Sequence, residues 1–232
     1  MTDFRRFAIF AVPDGGFYDK ASDWLGWDSV AGCTRVQPDL PDLPRDGAAL
    51  TARPRKYGLH GTIKPPFRLA EGTTLADLQG AFRPLCAGLA AVELPALMIT
   101  RIGGFVAAVP SQHSDALSAL AATIVRELDG FRAAPSKEEL AKRRKAGLSP
   151  QQEALLAQWG YPYVMEEFRF HLTLSGGMAH ADADHLAALL GSYFAPVLPT
   201  PYVMSDLALM GEAEDGQFHL IERARLAGRD HA

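Results

Sequence analysis

The chain has 232 residues, 48% of them hydrophobic and 22% charged, which is enough apolar material for a sizeable core and too much for a disordered segment. A formal net charge of −4 and a pI near 6.0 argue against a surface organised wholly around nucleic acid, and leave room only for a local basic cleft. The two cysteines, Cys33 and Cys86, suggest neither a metal site nor a disulfide framework, and no stretch approaches the ~20 apolar residues of a membrane span. Residues 7–12 are too short an apolar run for a secretion signal, so a cytoplasmic protein is expected.

In chain order, Arg6 to Val12 reads as a strand ended by Pro13, and Phe17 to Trp27 as a helix with Tyr18, Ala21, Trp24 and Leu25 on one side. Residues 37–54, rich in Pro, Asp and Gly, read as an irregular connection. Lys56 to Lys64 alternates as a strand that stops at Pro65-Pro66. Thr74 then caps a helix carrying Leu75, Leu78, Phe82, Leu85 and Leu89, and residues 96–102 and 105–109 form a hairpin about Gly103-Gly104.

The second half repeats that order: a strand from Glu167 to Ser175, a helix capped at Asp182, and a hairpin of residues 203–210 and 217–226 around Asp215-Gly216. Between the halves lie a helix with the stripe Leu117, Leu120, Ile124 and Leu128, a capping box at Ser136 and Glu139, the basic run Lys142-Arg143-Arg144-Lys145, and a helix started by Ser149-Pro150. The repetition predicts an α+β fold, a bilobal duplication of two antiparallel sheets facing a central groove with helices packed on the outside. Residues 1–232 would form a single bilobal domain, its lobes joined by a helical insertion at about 111–160. The insertion is expected near the groove as a source of positive charge or a lid, against the plainer alternative of a solvated basic helix face.

Two of the seven histidines open a His-x-Thr triplet followed by an aliphatic residue: His60-Gly61-Thr62-Ile63 and His171-Leu172-Thr173-Leu174. Residues two apart share a strand face, so Arg169, His171, Thr173 and Ser175 should lie together, as should Lys56, Gly58, His60, Thr62 and Lys64. Each motif then offers an imidazole, a hydroxyl and a cation on one surface. Two imidazoles near neutral pKa suit general base and general acid, with His60 and His171 the candidate catalytic pair. The hydroxyls of Thr62 and Thr173 and the cations of Lys64 and Arg169 suit non-bridging phosphate oxygens, and such a reaction calls for no metal or other cofactor. Arg53, Arg55, Lys56, Lys64 and Arg68 fall in a stretch without acidic residues that would draw an anion locally. Tyr57, Tyr161 and Tyr163 read as packing residues, the latter two with base stacking as the alternative. His113, His180, His185, His219 and His231 have no partner at an interpretable spacing.

Two H-x-[ST]-h motifs about a hundred residues apart on paired strands resemble the signature of the 2H phosphoesterase superfamily, which includes RNA ligase-like and cyclic phosphodiesterase enzymes. KYGLHGTIKPPFRL and WGYPYVMEEFRFHLTLSG are similar to a phosphonate-operon-associated bacterial branch. The resemblance implies a 2H phosphoesterase or RNA ligase-like fold, catalysis by His60 and His171, and phosphate binding by Thr62 and Thr173. The expected partner is a small phosphorylated substrate, a cyclic or linear phosphodiester such as a ribose cyclic phosphate; nucleic acid is possible but not favoured, and no membrane is expected. An RNA end-processing enzyme and a non-catalytic module holding a phosphorylated ligand are the competing readings.

Overall fold

The computed structural model describes residues 3–145 and 147–228. In chain order these form strand β1 (Arg6–Ala11), helix α1 (Gly15–Leu25), the short strands β2 (Trp27–Asp28) and β3 (Cys33–Thr34), and helix α2 (Gly47–Arg55). Strand β4 (Gly61–Phe67), helix α3 (Leu75–Ala87) and strands β5 (Val92–Leu94), β6 (Leu97–Ile102) and β7 (Phe105–Pro110) follow. Then come helices α4 (Asp115–Glu127), α5 (Lys137–Arg144) and α6 (Pro150–Trp159), strand β8 (Leu172–Thr173), helix α7 (His180–Phe194), and strands β9 (Tyr202–Met204), β10 (Asp206–Glu212) and β11 (Phe218–Arg225).

The fold is α+β, as expected. Seven strands make one antiparallel sheet in the order β11-β10-β1-β4-β8-β7-β6. The two expected sheets are thus continuous with each other through the pair Gly61–Leu172, which joins β4 to β8. The order also shows an exchange. The second-half hairpin β10–β11 pairs with β1, next to the first motif, whereas the first-half hairpin β6–β7 pairs with β8. The helices follow their exchanged hairpins: α3 packs on β10 and β11, and α7 on β6 and β7. Leu78 and Phe82 of α3, and Leu186, Leu190 and Phe194 of α7, are fully buried in the main core. A smaller cluster of Val125, Leu155 and Val164 lies beneath the insertion.

Local chemistry explains most helix ends. Thr74 with Asp77, Ser136 with Glu139 and Ser149 with Gln152 each form a reciprocal capping box, and Gly160 closes α6 in the left-handed conformation that costs a glycine least. α7 begins at His180 rather than at Asp182, and Asp182 instead lies in its first turn, where a carboxylate complements the helix dipole.

Three further expectations change. Residues 47–55 are helical, not irregular: the Asp46 carboxylate accepts from Ala49 N–H, and Pro54 sits in the last turn. Proline there offers no N–H to the Leu50 carbonyl, which instead accepts the Gly176 N–H at 2.7 Å and ties α2 to the chain just beyond the second motif. The first motif strand begins at Gly61 rather than Lys56 and runs through Pro65-Pro66, because register shifts there free it from ladder bonds that prolines could not donate. The second motif strand is paired over Leu172–Thr173 alone, although burial alternates from Phe168 to Leu174 as the pattern required. Among the described residues no helix is long and apolar enough to cross a membrane.

Candidate active site

His60 and His171 are held in the same way. Nδ1 of His60 lies 3.0 Å from the Gly58 carbonyl oxygen, and Nδ1 of His171 lies 2.8 Å from that of Arg169. A carbonyl only accepts, so both rings carry their proton on Nδ1, which leaves Nε2 with its lone pair outward. The acceptor in each case is two residues upstream. Gly58 presents its carbonyl from a left-handed turn with φ of 69°, and a β-carbon there would crowd the Ser29 side chain.

Pairing of Gly61 with Leu172 fixes the rest of the constellation. Continued one residue each way, this antiparallel register sets His60 across from Thr173 and Thr62 across from His171, all four on the face opposite Leu172. Thr62 and Thr173 are half-buried, and neither hydroxyl has a hydrogen-bond partner among the described residues. The approach of the two motifs depends on Gly61, since a β-carbon at that position would overlap the Phe170 ring. β8 is fixed from behind: Trp24 Nε1 donates to the Leu174 carbonyl at 2.8 Å, and Ser175 Oγ accepts from Val106 N–H at 2.9 Å. Ser175 is therefore a buried tie between strands and not a member of the exposed polar face.

The surroundings of the two rings differ. His60 is 9% exposed, packed against Phe10 at 4.0 Å and Tyr57 at 5.4 Å between ring centroids, with Phe218 stacked on Tyr57 behind them. Burial pushes the His60 pKa down to about 4; the Gly58 hydrogen bond opposes this and the neighbouring His171 adds to it. His60 is thus neutral at neutral pH. His171 is half-buried, with Phe105 at 5.7 Å.

The two cations part company. Arg169 is exposed on the face of His171, its Nη1 donating to the Glu166 and Phe168 carbonyls at 2.8 and 2.7 Å. Lys64 does not reach the groove. In the β1–β4 ladder Phe10 pairs with Thr62 but Ile9 pairs with Lys64, so the extra residue Ile63 makes a bulge that turns Lys64 to the opposite face. Its ammonium is 2% exposed beneath α4, 3.1 Å from the Val125 carbonyl oxygen and 3.4 Å from Asp129, which Arg132 also holds at 2.7 Å. Burial lowers the Lys64 pKa to about 8 against the opposing pull of Asp129. The other cations of that stretch are partly spent as well: Arg55 bonds Leu25, Gln37, Ala48 and Thr51, and Arg68 pairs with Glu139, leaving Arg53 and Lys56 exposed.

Sequence reasoning passed over Phe10, the Gly58 and Arg169 carbonyls, and Phe170. The carbonyls were the most accessible of these, because a two-residue offset upstream of each histidine is a local relation. Among the other histidines, His113 meets Asp115 and His185 meets the Asp42 carbonyl, His219 packs on Trp27, and His231 lies outside the described residues. No group of three or more His, Cys, Asp or Glu side chains among the described residues is placed to hold a metal ion.

Residues 62–219, which include the whole second motif and Thr62 and Ile63 of the first, match the family described as a protein of unknown function, DUF1045. The chain belongs to the DUF1045 family. Among curated proteins, this DUF1045 chain is 35% identical over 218 residues to one named ribose 1,5-bisphosphate phosphokinase PhnN from Janthinobacterium sp. (strain Marseille), covering 91% of this chain and 48% of that one. A protein of the same name from Laribacter hongkongensis (strain HLHK9) is 31% identical over 216 residues, covering 91% and 49%. The chain spans about half the length of the curated relatives it matches. Among solved structures it is similar to TT0787 of Thermus thermophilus, with a TM-score of 0.48 and 15% identity over 97% of this chain and 100% of that one. E. coli LigT complexed with phosphate gives a TM-score of 0.45 and 13% identity over 97% and 98%.

Proposed function

We propose that this DUF1045 protein is a 2H-type phosphoesterase that hydrolyses a small cyclic or linear phosphodiester without a metal ion. The observation that supports it most is the matched presentation of two imidazoles, each with Nδ1 on its own i−2 carbonyl and Nε2 free, beside two unengaged threonine hydroxyls. His60, neutral in its aromatic box, takes a proton from the attacking water on Nε2. His171, entering the step as imidazolium with Nδ1–H still on the Arg169 carbonyl, gives its Nε2 proton to the departing alkoxide; one phosphorus–oxygen bond forms as another breaks, His60 ends protonated and His171 neutral, and proton exchange with solvent resets the pair. Thr62 and Thr173 donate to the non-bridging oxygens, and Arg169 supplies positive charge at the open side of the groove. Lys64, buried on the other face, serves the fold.

The curated relatives are named for ribose 1,5-bisphosphate. A phosphorylated ribose, including a ribose cyclic phosphate, is on that basis the favoured substrate class. The test is turnover of 2′,3′-cyclic nucleotides, ribose cyclic phosphates and a short RNA ending in a cyclic phosphate, all in EDTA, by wild type, His60→Ala and His171→Ala. Cleavage that requires both histidines supports the reading and ranks the substrates. Activity that survives in both variants, or that EDTA abolishes and zinc or manganese restores, overturns the mechanism.

A further inference from the structure

Helix α5 buries no residue and stays in place through its charges. Glu139 pairs with Arg68 at 2.9 Å, and Arg144 pairs with Glu153. Its position follows from the sheet. Arg6 and Phe10 share one face of β1, and the Phe10 ring meets His60, so Arg6 lies on the groove side. Phe67 pairs with Phe7 on the opposite face, so Arg68, the next residue, returns to the groove side, and its pair with Glu139 draws α5 there. α5 therefore stands over the groove side of the sheet, at the end where β1 begins.

At the other end of α5 the basic run points two ways. Lys142 and Lys145 are exposed and Arg144 is paired, but Arg143 folds inward, half-buried, with its guanidinium 4.4 Å from the centre of the Tyr161 ring. No carboxylate pairs with Arg143 among the described residues. Tyr163 packs edge-on against Tyr161 at 5.7 Å and is 42% exposed. Burial raises the Tyr161 phenol and Arg143 opposes the rise; Arg143 lies four residues beyond Glu139, on the same face of α5 and so on the side turned toward the groove. A ring face offsets only part of the solvation that a half-buried guanidinium gives up, and its forked N–H groups match a phosphate.

We propose that Arg143 is a specificity-determining residue that binds a second, terminal phosphate of the substrate while the two His-Thr pairs hold the first. The groove would then select compact ligands that carry phosphate at two places. This rests on the phosphoesterase reading for the identity of the first phosphate, but its test does not require turnover.

The experiment is calorimetric titration of the full chain with a nucleoside 3′-monophosphate and the matching 3′,5′-bisphosphate, for wild type, Arg143→Met, Arg143→Lys and the neighbouring control Lys142→Ala. Wild type and Lys142→Ala should favour the bisphosphate about tenfold or more. Arg143→Met should lose that preference while its monophosphate affinity stays within about twofold, and Arg143→Lys should keep part of it. Equal binding of both ligands by wild type, binding of neither, a preference that persists in Arg143→Met, or an equal fall for both ligands would each overturn the proposal. Hydrolysis of cyclic phosphates without the preference removes Arg143 alone; the preference without hydrolysis of any diester removes the phosphoesterase reading alone.

Discussion

Gly61 and Leu172, the middle residues of the two motifs, face each other across the joint between β4 and β8. That one pair makes the two motifs into a single reciprocal site in which each histidine stands opposite the other motif's threonine. It is the centre from which the following predictions are drawn.

The close approach at the joint depends on the absence of a side chain at position 61. Gly61→Ala should drive the Phe170 ring out of place and destabilise the protein by about 2 kcal/mol. Phe170→Leu in the same chain should recover part of that loss. Urea unfolding of the two single variants and the double variant measures the coupling, and simple additivity would show that the two residues do not meet as described.

The acid limb of kcat/KM should reflect the low pKa of His60. With the base pushed down to about 4, activity should hold through pH 6.5 and 5 and fall only as pH approaches 4. A base with an ordinary histidine pKa would give a fall near 6.5 instead. The measurement is a pH–rate profile at substrate concentrations well below KM.

The same burial makes folding depend on pH. An unfolded chain protonates this imidazole below about 6.5, whereas the folded one resists until about 4, so stability is present above 6.5 and is lost as pH falls through that window. The full loss is about 3 kcal/mol. Between pH 7 and pH 4.5, His60→Gln should therefore lose less stability than wild type in denaturant titrations; parallel losses would argue against a buried neutral ring.

Lys64 should matter to neither binding nor turnover directly. Lys64→Met should fold, because Asp129 keeps Arg132, and removing a buried ammonium should leave stability at pH 7 unchanged or higher. KM should stay within about twofold of wild type. A tenfold rise in KM with no loss of stability would return Lys64 to the phosphate site. In wild type, stability should rise between pH 8 and 10.5 as the folded chain sheds this proton before the unfolded one does.

What the sequence revealed was mostly local. The helix cap at Thr74, the capping box at Ser136, the turns at Gly103-Gly104 and Asp215-Gly216, and the alternation of Phe168 to Leu174 are short-range signals, and the structure has each of them. Helix α2 was hidden because Pro54 reads as a breaker, and the carbonyl it leaves free finds Gly176, 126 positions further on. The turning of Lys64 away from Thr62 was hidden for a related reason: a bulge is a property of the partner strand's register, and β1 lies more than fifty residues upstream. The face shared by His60 and Thr62 was legible, whereas the aromatic box around His60 needs Phe10 and Phe218 from opposite ends of the chain.

The exchange of hairpins has a temporal side. Ile9 pairs with Leu209, and β1 lies between the first motif strand and β10 from the far end of the chain. At ~5–20 residues per second, a ribosome adds the intervening stretch in roughly 10–40 s. Throughout that interval β1 and β4 lack the β10–β11 hairpin, and Phe218 has yet to close the box around His60. Only the last 36 residues of that stretch, roughly 2–7 s of synthesis, separate completion of the second motif from Leu209, and until then the open edge of β1 is exposed to aggregation.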